Sequence, residues 1–324
     1  MIRRRHLAAA LAAPAILRAL PARAQGWNPD RPVKLVVGFA AGGGTDIVAR
    51  TMAGRLGQEV GQPIVVDNRP GAGGNIATEA VVRSPPDGYT LLLGTIAALS
   101  VNPSLFKNLS FDPQTDLTPI SMAGDILNLL VCALDKPFRS VPDLIAAAKA
   151  APDTLTYGSS GVGGTGHLAG ALFDQMAGVK TIHVPYRGGG PLSADILSGK
   201  VDFSFATAST TIPLVQAGKL RALAVPTPAR SPLRPDVPTV AETLPGYDVP
   251  NWNALVGPKG LPEPIVARYN AAMRATLSDA DVRKGMITHG VAPIPSSPEE
   301  LARFIREQTD KWRPVIRATG ATAD

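Results

Sequence analysis

Cysteine is almost missing from this chain: Cys132 is its single example. No intramolecular disulfide can form, so the fold must be held by its core. Cys132 lies in the apolar run "LNLLVCAL", where a small buried hydrophobe is its expected role. The apolar stretch near the N-terminus falls short of the roughly 20 residues that a bilayer-spanning helix needs. There is no G-x-x-x-x-G-K-[ST] phosphate loop and no H-E-x-x-H zinc helix. Gly158-Ser159-Ser160-Gly161 resembles a nucleophile elbow but lacks the G-x-S-x-G spacing. Beyond residue 25 the histidines are His167, His183 and His289. None is paired at i, i+4 and no second cysteine can join them, so no metal site is expected.

What is present begins with a leader. Arg3, Arg4 and Arg5 precede an apolar run from Leu7 to Leu17, and Ala22-Arg23-Ala24 supplies an A-x-A site. That is the layout of a secretory signal, so residues 1–25 are set aside and a periplasmic location is expected. Sec and twin-arginine export both stay open. The leader also carries most of the net charge of +6: removing its five arginines from 32 basic residues leaves 27 against 26 acidic ones. Without a basic cluster, nucleic acid is not an expected partner.

The remainder alternates strand-like and helix-like segments. "VKLVVGF" precedes the glycine loop "AAGGGTD", and Val48, Met52 and Leu56 then mark one helical face. "PIVVDN", "IATEAVV" and "YTLLLG" continue the pattern, which predicts a mostly parallel α/β sheet. The grammar restarts near residue 125 with "DILNLLVCAL" and a capping box at Ser140. A proline-dense stretch from Pro226 to Pro250 suits a return linker, and Ser297 opens a helical tail with a second capping box. Two α/β lobes around a cleft are predicted: 27–125 with 245–324, and 126–244. Ligands of such sheets sit at the carboxyl ends of strands, where the glycines of this sequence gather.

One of those loops, "GSSGVGGTGH", has Gly161, Gly163 and Gly166 in G-x-G-x-x-G spacing. A dinucleotide site would place an acidic residue at the end of the next strand, but "TIHVPY" is followed by Arg187. Export disfavours a nicotinamide cofactor further, and no cofactor is expected. Anion binding asks for less. A helix N-terminus presents unpaired N–H groups and about half a positive charge. Thr45 and Thr165 end two glycine loops in matching positions, and a loop on each lobe would grip a small acid. Asp46 reads as a cap or as a partner for a ligand ammonium group. Arg187 with Gly188–Gly190 fits a cleft rim or a simple turn.

The segments "GGGTDIVAR", "VVDNRPGAGGNI", "PDGYTLLLGT", "LTYGSSGVGGTGHLAG", "HVPYRGGGP", "GKLRALAV" and "DVPTVAETLPGY" resemble, in order, those of the extracytoplasmic receptors of tripartite tricarboxylate transporters, the Bug proteins. The resemblance covers essentially all of the chain after the leader. It implies a periplasmic-binding-protein fold of the second type and a small carboxylate ligand. The partners it implies are membrane permease subunits, and the receptor is expected to be a monomer without catalytic residues. It implies ligand contacts at Phe39, Ala41, Gly43, Gly44, Thr45 and Asp46 on one lobe. On the other it implies Ser159, Ser160, Gly163, Thr165 and His167. Thr95 and Ser100 match a further cleft-facing segment. Ala206-Thr207 stands where relatives carry an acidic or amide residue, which leaves Thr207 as the contact there. Two other classes remain: an exported enzyme of small carboxylates, using Asp46, His167 or Ser160, and a sensor presenting its closed form to a signalling partner.

Overall fold

A computed structural model describes residues 27–319; the expected leader lies outside them. Eleven strands among the described residues form two sheets. In chain order they are β1 (Val33–Val37), β2 (Ile64–Asn68), β3 (Thr90–Thr95), β4 (Leu117–Ile126), β5 (Asn128–Ala133), β6 (Thr156–Ser159), β7 (Ile182–Pro185), β8 (Phe203–Thr207), β9 (Leu220–Ala224), β10 (Trp252–Pro258) and β11 (Val291–Pro293). The first sheet has the order β11-β4-β10-β3-β1-β2, the second β7-β6-β8-β5-β9.

The helices are α1 (Gly44–Val60), α2 (Asn75–Val82), α3 (Asn102–Leu105), α4 (Val141–Ala150), α5 (Thr165–Ala177), α6 (Gly189–Leu197), α7 (Ala208–Gln216), α8 (Glu263–Ser278), α9 (Ala280–Thr288) and α10 (Pro298–Thr319), with a π-helical turn at Ala97–Val101. None is long and apolar enough to cross a membrane. Both sequence-read capping serines take part: Ser140 Oγ accepts from Asp143 N, and Ser297 exchanges bonds of 3.1 and 2.7 Å with Glu300.

The sheets are mixed rather than mostly parallel. β1 pairs in parallel with β2 and β3, and β6 with β7 and β8. The interior strands β10 and β5 are antiparallel to both of their neighbours. The cause is connectivity. Each enters from the other sheet instead of through a crossover helix, so nothing constrains it to run parallel. "DILNLLVCAL" is accordingly split: its first residues end β4, Leu127 crosses, and β5 begins at Asn128. The chain returns through the proline-dense stretch, whose one 3₁₀ turn (Val240–Glu242) carries a capping box from Thr239.

β5 and β10 are buried along their whole length, as strands covered on both faces must be. One core lies between the first sheet and α1, α8 and α9, with Leu35, Met52, Tyr269 and Met273 fully buried. Another fills the remaining face of the second sheet under α6 and α7. The largest runs continuously behind both sheets, from Leu92 and Trp252 to Phe173 and Phe205. α10 covers it with Leu301, Ile305, Trp312 and Ile316, whose spacing keeps them on one helical stripe. At the front, the strand-to-helix loops of the two sheets face each other.

Candidate functional site

Those facing loops enclose a chamber of about 300 Å³. Four helices begin at its wall. Gly43, Gly44 and Thr45 bring the start of α1, Gly164 and Thr165 that of α5, Gly189 and Gly190 that of α6, and Thr207 is the N-cap of α7. Ile96 and Ala97 add the start of the π-helical turn. No side chain caps any of these four helices. Their first-turn N–H groups and partial positive charges therefore remain for a ligand.

The side-chain polar groups are few. Thr95 Oγ1 is buried and has no hydrogen-bond partner, a state that native proteins rarely leave unmet. Thr165 Oγ1 accepts from Asn128 Nδ2 at 3.2 Å, and Asn128 Oδ1 accepts from Asn251 Nδ2 at 2.8 Å. This relay leaves the Thr165 proton free to donate into the chamber. It also runs through the two places where the chain crosses between sheets. Arg187 is the one charged side chain among the described residues of the lining, which holds no carboxylate to pair with it. Among the described residues, no group of three His, Cys, Asp or Glu side chains is arranged to hold a metal ion.

The two lobes touch around the chamber. A Cβ built on Gly44 would lie 2.8 Å from Thr207 Cγ2, and one on Gly73 would lie 3.3 Å from the Val162 carbonyl oxygen. Glycine is what lets these loops approach.

A family model described as the tripartite tricarboxylate transporter family receptor matches residues 48–321. The chain belongs to that family. Among solved structures, the receptor is similar to an adipate-bound protein of R. palustris at 37% identity and TM-score 0.87, over 91% of this chain and 99% of that one. The periplasmic binding protein BugD matches at 33% and 0.85, over 91% and 100%. MatC from Rhodopseudomonas palustris, with bound malate, matches at 33% and 0.83, over 89% and 99%. The two-lobed α/β fold of this receptor is that of the periplasmic solute-binding proteins.

Of the residues singled out in the sequence, Phe39, Ala41, Gly43, Gly44, Thr45, Thr95, Ser160, Thr165 and Thr207 line the chamber of the receptor. Asp46, Ser100, Ser159, Gly163 and His167 do not. Asp46 faces away into a cage formed by Gly42 N at 2.9 Å, Arg50 Nε at 2.9 Å and Asn68 Nδ2 at 2.9 Å. Burial opposes its ionisation, but the Arg50, Gly42 and Asn68 hydrogen bonds outweigh that and hold its pKa below the usual carboxylate value. In this arrangement its carboxylate braces the loop. Ser100 is fully buried on the π-helical turn and donates to the Ile305 carbonyl of α10.

Ser159 is buried beneath its loop, 2.7 Å from His183 Nε2. His167 stacks on His183 with ring centroids 4.1 Å apart, and its Nδ1 accepts from Gly163 N. Burial pushes the His167 pKa down to about 4; burial, then the His167 neighbour, pushes His183 to about 3. Both rings are neutral supports at ordinary pH. Gly163 is buried and packs toward Leu105 and Asn102 of the first lobe.

The glycine spacing now has physical causes. Gly161 (φ 149) and Gly163 (φ 77) adopt left-handed backbone, and a Cβ on Gly166 would lie 2.7 Å from the Phe205 carbonyl oxygen. Ile96, Ala97, Gly164, Thr210 and Asn251 are lining residues that sequence reasoning passed over. Ile96 and Ala97 follow the end of β3, a usable signal, but carry no polar side chain to single them out. Asn251 carries no local signal.

Proposed function

We propose that this receptor binds one small carboxylate between its lobes, unchanged, and hands the closed complex to tripartite tricarboxylate-type permease subunits. The observation that carries the proposal is the convergence of four side-chain-uncapped helix starts on a chamber whose lining includes Arg187 and no acid. An anion is the ligand this field favours. The adipate and malate of the similar proteins support the same class.

Loops from both lobes contact the acid, so it favours closure through contacts that exist only in the closed state. Thr45, Thr95, Ser160, Thr165 and Thr207 supply hydroxyl contacts, and Gly43, Gly44 and Gly164 supply backbone ones. We place the lobes at 27–125 with 245–324 and at 126–244. The working protein is a periplasmic monomer from which the leader of residues 1–25 has been removed. Catalysis is not proposed: His167 and Asp46 are committed to supporting bonds, and Ser160 shares the chamber lining with no His, Asp or Glu.

The test is thermal unfolding of residues 26–324 against adipate, malate, glutamate, benzoate and NADPH. A ligand at 100 times its Kd stabilises by about 2.7 kcal/mol, or roughly 2 °C or more in Tm. A shift with one or more acids supports the proposal; a shift with NADPH alone overturns it.

A further inference from the structure

A second chamber, of about 590 Å³, abuts the one under the helix starts. The two share Phe39, Ala40, Ser160, Arg187 and Gly188. Beyond that shared wall their chemistry diverges. The second chamber is bounded by Pro70, Phe106, Val162, Tyr186 and the turn Gly71–Gly74. The Tyr186 hydroxyl is engaged by Asp195 at 2.9 Å, so what this residue has left to offer is its ring. The turn runs through positive φ at all four residues, from Gly71 (134°) to Gly74 (94°), and it contributes almost no side chain. A space with aromatic and aliphatic side chains results, beside one where backbone N–H groups gather.

Charge separates the ligands this pair of chambers can take. Arg187 is the one charged side chain among the described residues lining either chamber, and no ion pair or hydrogen bond with them occupies it. It stands in the loop between β7 and α6, on the shared wall. A single carboxylate in the first chamber would meet both the helix starts and this guanidinium. A second carboxylate would have to lie among Phe39, Phe106 and Val162, where desolvation opposes it and no further cation compensates. A hydrocarbon body gains there instead, about fourfold in affinity for each methylene buried.

We propose that the ligand class of this receptor is monocarboxylic acids with a bulky apolar body, of the arylalkanoate or medium-chain alkanoate type. The carboxylate sits in the first chamber against Arg187, and the apolar body fills the second. The inference rests on the carboxylate-receptor proposal above and adds the part of the acid that confers selectivity. Both chambers fall within the size range of small-molecule sites.

Calorimetric titration of residues 26–324, refolded to remove carried-over solute, tests it with 3-phenylpropanoate, the alkanoates from butanoate to octanoate, adipate and malate. We expect 3-phenylpropanoate to bind at least about tenfold more tightly than malate. Affinity should climb by roughly fourfold per methylene along the alkanoates. Arg187→Gln should weaken every acid by about tenfold or more, whereas Val162→Trp, which fills the second chamber, should weaken 3-phenylpropanoate and spare butanoate. The alkanoate series uses the unmodified protein and decides the matter even if a variant misfolds. Tighter binding of adipate or malate than of 3-phenylpropanoate, or a flat alkanoate series, overturns the inference and leaves the carboxylate receptor standing. Heat with none of the acids overturns the receptor proposal itself.

Discussion

Substituting Gly44→Ala adds one methyl group to the first residue of α1, at the seam between the lobes. The new Cβ would lie 2.8 Å from Thr207 Cγ2, 3.4 Å from Ser209 Oγ and 3.7 Å from Ile126 Cδ1, where ordinary contact is 3.4–4 Å. Gly44 is helical and is not among the positive-φ glycines, so alanine meets no backbone strain there. Helix propensity even favours alanine over glycine. The clash with Thr207 therefore exists only while the lobes are closed.

Overpacking by a methyl group costs about 1–3 kcal/mol, which corresponds to roughly 5- to 150-fold in Kd. Calorimetry with the acid that gives the largest thermal shift should show that loss, while the Tm of the ligand-free protein stays equal or rises. Thr207→Ser removes Cγ2 and keeps the hydroxyl. In the double variant G44A/T207S the affinity should return to within about threefold of T207S alone, a coupling expected of residues in contact. Unchanged affinity in G44A, or a double variant as weak as G44A, would refute closure along this seam.

Two further outcomes follow from the same geometry. Thr165→Val removes a donor from the chamber and an acceptor from Asn128 Nδ2. Acid binding should weaken by about 1–3 kcal/mol, with the protein still folding cooperatively in a melt; unchanged Kd would take Thr165 out of the site. The stacked histidines predict a pH dependence. Their folded pKa values, about 4 for His167 and about 3 for His183, lie below the unfolded value near 6.5. As pH falls below about 6.5 the unfolded chain takes up protons first, so stability is full above that pH and declines toward pH 4. The loss from His167 alone is about 3 kcal/mol by this linkage. Asp46, whose folded pKa is lowered, adds its own loss only below about pH 4. Burial raises the Asp125 pKa to about 6, which works the other way over the same interval. Melting curves of Asp125→Asn at intervals between roughly pH 7.5 and 4.5 therefore check this, and a Tm that does not drop in that variant would contradict the neutral stack.

Chemical type alone does not say which way a side chain turns. Ser100, Ser159 and His167 look like ligand groups because hydroxyls and imidazoles beside glycine loops often are. Each is instead turned into the protein: Ser100 toward α10, Ser159 toward His183, and His167 onto the ring of His183. The G-x-G-x-x-G spacing misleads for a related reason. A tight strand-to-helix turn with a close helix–strand approach needs glycines at these intervals whatever it binds, as Gly161, Gly163 and Gly166 demonstrate.

What the sequence by itself determined was everything carried by short-range physics. Periodicity marked the face of α1, cap chemistry marked the starts of α4 and α10, and glycine marked the loops at the carboxyl ends of strands. Those signals act within a few residues, so they are legible along the chain. Only the tertiary structure decided that β5 and β10 enter the two sheets antiparallel. It alone joined Asn128 and Asn251 to Thr165, and stood Arg187 on the wall that two chambers share. These are meetings of segments well separated in the chain, or choices of which way a side chain turns. They are fixed by packing against partners that no local pattern names.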